Sequence, residues 1–65
     1  MKSPGHLFAD TTALLEDLHG VAVEGQHPDI TPDMHAALAS HLRLGCRRLE
    51  RILVDVARSL GSPTR

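Results

Sequence analysis

Three arginines spaced four residues apart, Arg43, Arg47 and Arg51, are the side chains of this chain best placed to do chemistry. At helical pitch they line one face, with Arg58 continuing it and Arg48 at its flank, and a guanidinium ridge of that kind can neutralise a run of phosphates. A solvated face meets the same pattern, and two features favour it: the formal net charge is −1, and no Trp or Tyr interleaves with the basic residues to stack on bases. Five histidines, His6, His19, His27, His35 and His41, are numerous for 65 residues, yet none lies three or four positions from another, so no helical pair is spaced to chelate a metal. No metal and no cofactor are expected. Cys46 sits between Gly45 and Arg47, where a thiol is either activated by neighbouring positive charge or packed as a small hydrophobe; its place in an apolar stripe favours packing. There is no nucleophile–base arrangement and no phosphate-cradling glycine loop, so the chain is not expected to be an enzyme.

The element that carries the arginines is one long amphipathic helix with both ends marked, from about 32 to about 60. Thr31 suits an N-cap, Pro32 the first helical position, Asp33 the positive end of the helix dipole, and Gly61 followed by Pro63 supplies a stop. Between them runs an apolar stripe of Leu38, Leu42, Gly45, Cys46, Leu49, Ile52, Leu53, Val56 and Leu60. A first, shorter helix is expected over about 4–19, opened either by Ser3-Pro4 or later by Asp10, with Leu7, Phe8, Leu14, Leu15 and Leu18 on one face and Asp10, Glu16 and Asp17 on the other. Residues 20–31, with two glycines and Pro28, read as a connector; Val21-Ala22-Val23 either extend the first helix, whose register Val21 and Ala22 keep, or run extended, and the favoured reading is a loop that tucks Val23 and Ile30 against the helices, with Gly20 as the helix end and residues 61–65 as a frayed tail.

Length sets the architecture. At about 1.5 Å per residue the first helix spans roughly 24 Å and the second roughly 43 Å, so an antiparallel partner leaves Leu49, Ile52, Leu53, Val56 and Leu60 uncovered. A single domain of 65 residues buries little surface, and one cysteine rules out an intrachain disulfide. The expectation is an all-α helical hairpin that homodimerises through those five residues into a four-helix bundle. Such a bundle would work as a small protein–protein interaction module: an adaptor, a regulator or a chaperone-like subunit.

A different function class comes from the segment Leu38-Ala39-Ser40-His41-Leu42-Arg43-Leu44-Gly45-Cys46-Arg47-Arg48-Leu49-Glu50-Arg51-Ile52-Leu53. It resembles the helix-turn-helix of AraC-type transcription activators, where a leucine-alanine helix, a short turn and an arginine-rich recognition helix follow one another. The resemblance implies a DNA-binding regulator with a helix-turn-helix around residues 33–60, a break near Gly45, and Arg43, Arg47, Arg48 and Arg51 toward nucleic acid. The sequence departs from the pattern at the turn: Arg43 stands where that family tends to have glycine, and Gly45 where a polar helix-start residue is expected.

Charge is divided along the chain. Residues 1–35 carry Lys2 against six acids, −5, and residues 36–65 carry six arginines against Glu50 and Asp55, +4. An acidic first helix is therefore expected beside a basic second one. No unbroken apolar run reaches the length of a signal peptide or a membrane span, and the expectation is a soluble, cytoplasmic protein.

Overall fold

A computed structural model describes residues 2–61. Two helices, α1 (Pro4–Glu24) and α2 (Pro32–Ser59), pack against each other as an antiparallel hairpin. Both begin by the same device. Ser3 and Thr31 hold extended backbone, their hydroxyls accept the amides of His6 and Met34 at 3.2 Å, and a proline takes the first helical position. Asp33 in the first turn of α2 and Arg58 in its last turn match the helix dipole. Gly61, at φ 66°, takes the left-handed conformation that ends α2, and its amide donates to the Arg58 carbonyl at 3.0 Å.

The first helix is longer than its sequence suggests. Gly20 does not stop it, and Val21, Ala22 and Val23 are helical rather than part of a loop. The reason is register: Val21 falls on the face that meets α2, where it is only 9 % exposed, and its burial together with another turn of backbone bonding outweighs the roughly 1 kcal/mol cost of a mid-helix glycine. Val23 stays half exposed, whereas Ile30 is tucked in part against the helices. The connector shrinks to residues 25–31. It is held by backbone bonds from Gln26 and His27 to the end of α1, and by His35 Nε2 against the Gly25 carbonyl at 3.0 Å. Beyond Gly61 the expected tail lies outside the described residues.

The longer α1 also covers more of α2. Twenty-one residues span about 31 Å against about 42 Å for the twenty-eight of α2. Along α1 and its C-cap the buried or half-buried positions are Pro4, Leu7, Thr11, Leu14, Leu18, Val21 and Gly25, with Asp10 beside them. On α2 they are Leu38, Leu42, Gly45, Leu49, Ile52, Val56 and Ser59, with Asp55 beside them. Steps of three and four alternate throughout, the seam of a two-helix coiled coil. Leu49, Ile52 and Val56 therefore lie half-buried in this seam; a first helix too short to reach them is not what the chain forms.

Among the described residues the seam is the core. Leu7, 3 % exposed, and Val21 are its buried hydrophobic side chains, and the hairpin measures 51 × 17 × 14 Å. No helix among the described residues is long and apolar enough to cross a membrane.

Candidate interaction surface

Gly45 sets how closely the helices approach. It is buried, and a Cβ built on it would meet Leu18, 2.7 Å from Cδ1 and 3.0 Å from Cγ. The residue is glycine because Leu18 fills that space, and α2 runs unbroken through it. The turn that the helix-turn-helix reading requires near Gly45 is therefore absent: residues 32–59 form one helix.

The seam divides the rest of the surface into two sides. In an antiparallel pair, residues that precede one set of seam positions on each helix share one side, and residues that follow the other set share the opposite side. Asp10, Asp17, His41, Arg48 and Asp55 directly precede Thr11, Leu18, Leu42, Leu49 and Val56. This side is polar. His41 Nε2 lies 3.1 Å from Asp17 Oδ2, joining the two helices across it, and Lys2 Nζ donates to Asp10 Oδ2 at 2.6 Å. Two open grooves of about 530 and 460 Å³ run along it, the first between Lys2, Asp10, Arg48, Arg51 and Asp55, the second between Asp17, His41, Leu44 and Arg48. Opposite charges alternate in both, so neither presents a field of one sign to a ligand.

Phe8, Leu15, Cys46, Leu53 and Leu60 directly follow Leu7, Leu14, Gly45, Ile52 and Ser59 and lie together on the other side. That side is apolar and uncovered: Phe8 is 57 % exposed, Leu15 48 %, Leu53 51 % and Leu60 68 %. Cys46 is exposed among them rather than packed in the core. Of the five residues expected to form an interface, Leu53 and Leu60 are thus open, and Leu49, Ile52 and Val56 contribute to the hairpin itself. Phe8 and Leu15 were not expected here. The signal was present, since Phe8, Leu15 and Ala22 recur every seven residues on α1 as Cys46, Leu53 and Leu60 do on α2.

Arg43, Arg47 and Arg51 are exposed along α2, Arg47 and Arg51 on its edge away from α1, and Arg48 lies on the polar side. Among the described residues none of the four has a carboxylate within ion-pair distance; the acidic first helix meets the second through Asp17 and His41 instead. Arg47, Arg48 and Arg51 surround the exposed Leu44. Histidine, cysteine and carboxylate side chains do not gather in groups of three or more among the described residues. No family model, curated protein or solved structure matches this chain.

Proposed function

We propose that this protein is a non-enzymatic interaction module that works as a homodimer, two hairpins stacking by their apolar sides into a four-helix bundle. One observation carries the reading: Phe8, Leu15, Leu53 and Leu60 stand about half exposed or more on a single side of a rod with almost no interior. Each has about half of the 1.5–3 kcal/mol of a fully buried aliphatic or aromatic side chain still to gain. A second copy is the occupant that brings an equal apolar face.

In the assembled bundle the polar sides and the arginine-bearing edges face outward, available to a further protein, as an adaptor, regulator or chaperone-like subunit requires. We place the protein in the cytoplasm, where a free thiol such as Cys46 stays reduced.

Light scattering coupled to gel filtration tests the dimer, which should appear at twice 7.1 kDa at micromolar concentration. Leu53→Asp should convert it to monomer, because the seam between copies would bury an unpaired charge. Leu44→Asp, at a residue equally exposed but on the polar side, should leave the mass unchanged. A fully helical wild-type monomer, or equal behaviour of the two variants, would overturn the reading.

A further inference from the structure

We propose that the two hairpins stack antiparallel about a twofold axis that crosses the apolar side at the level of Leu15 and Cys46, so that each Cys46 faces the partner's Cys46. The proposal rests on the dimer reading and specifies its geometry.

The first argument is size. Along the apolar side the large residues, Phe8 and Leu53, lie toward the open end of the hairpin, and the small ones, Ala22 and Ala39, toward the connector. Leu15 and Cys46 lie midway, seven residues from each. Stacking the copies with matching ends together sets large against large at one end and small against small at the other. The result is a wedge that leaves the alanine end unpacked. Reversing one copy sets Phe8 against the partner's Ala22, Leu53 against the partner's Ala39 and Leu60 near the partner's Pro32, and the layers between the two ends marked by Phe8 and Ala22 then have nearly the same summed width. The two helices place the axis within about two residues, roughly 3 Å, of the same level, because Cys46 follows Gly45, which meets Leu18 across the seam, and Leu15 lies three residues before Leu18.

The second argument is charge. The charged residues bordering this side of α2 are Arg43 and Glu50, three residues before Cys46 and four after it. Both are exposed, and neither has an ion partner among the described residues. About an axis at Cys46 the position opposite Arg43 falls within one residue of the partner's Glu50, and symmetry makes the pair twice. A surface whose sizes and charges both complement themselves under one rotation is what an isologous contact demands.

The full-length protein supplies its own probe. Treated with a short bismaleimide at low micromolar concentration, the native dimer should link through Cys46 into a covalent dimer, and the urea-unfolded chain should not. In a Cys46→Ala background, Ala39→Cys alone and Leu53→Cys alone should fail to link, since like positions then stand fourteen residues apart, about 21 Å. An equimolar mixture of the two variants should link. Arg43→Glu should raise the dimer Kd by about tenfold, and Arg43→Glu with Glu50→Arg should restore it. A dimer by light scattering that links at Ala39→Cys alone, or that does not link at Cys46, overturns this geometry and leaves the dimer standing. A monomer overturns the dimer reading itself.

Discussion

Gly45→Ala isolates the close approach between the helices, and its effect should reverse sign with the residue opposite. Alanine is favoured over glycine inside a helix by about 1 kcal/mol. At Gly45 the added methyl would lie 3.0 Å or less from three carbons of Leu18, two of them nearer than real contacts come, and because Cγ is among them the side chain cannot clear the space by turning its tip. Forcing a methyl into a packed site costs about 1–3 kcal/mol, so the net loss should be about 0–2 kcal/mol. Leu18→Ala removes all three carbons. In that background only propensity remains, and the same Gly45→Ala change should stabilise by about 1 kcal/mol. The double-mutant coupling is then about 1–3 kcal/mol, well above the few tenths seen for independent sites. Gly20→Ala provides the reference, since nothing lies within 4 Å of a Cβ there, and it should stabilise by about 1 kcal/mol in either background. Urea unfolding followed by helical circular dichroism, at one fixed protein concentration, measures all of these. If Gly45→Ala has the same effect with and without Leu18, the glycine is not there to admit the leucine and the reasoning fails.

Thr31→Ala should cost about 1 kcal/mol in the same assay through loss of the bond to the Met34 amide, and Thr31→Ser should cost little; equal losses would mean that the hydroxyl does not cap. Mixed-sequence duplex DNA at physiological salt should bind no tighter than about micromolar. Affinity that is tight, falls with salt at a log–log slope of roughly −2.7, and disappears in the Arg47→Ala, Arg48→Ala, Arg51→Ala variant would replace the interaction module with a nucleic-acid reading.

The ends of α2 could be read from the sequence because capping is local. Thr31-Pro32 and Gly61 act on backbone groups within a few residues of themselves, and the structure uses each as its type suggests. The stripe on α2 was legible for the same reason, as a periodicity. What the periodicity does not contain is the direction from which α1 arrives. Leu49, Ile52, Leu53, Val56 and Leu60 form one continuous band until a partner splits it, and a one-residue step decides whether a side chain enters the seam, as Ile52 does, or stands beside it, as Leu53 does. The length of α1 was hidden by Gly20, whose local preference is overridden by Val21 finding a place against α2. Gly45 needed Leu18, twenty-seven residues away, to be understood as a point of contact rather than a break.

The connector governs how the chain finds its form. A Cβ at Gly25 would touch Leu38, thirteen residues away, whereas Leu18 and Gly45 are twenty-seven apart, and each further layer adds about seven residues on either strand of the hairpin. Closing a chain loop costs entropy that grows with its length, so the layer nearest the connector forms at least expense and shortens the loop that the next must close. The hairpin should zip from its turn outward, and with mostly local contacts it should do so fast. Phe8, Leu53 and Leu60, three of the four large residues of the apolar side, are the last brought into line, so most of the surface prone to stick to other chains is assembled only once the hairpin beneath it exists.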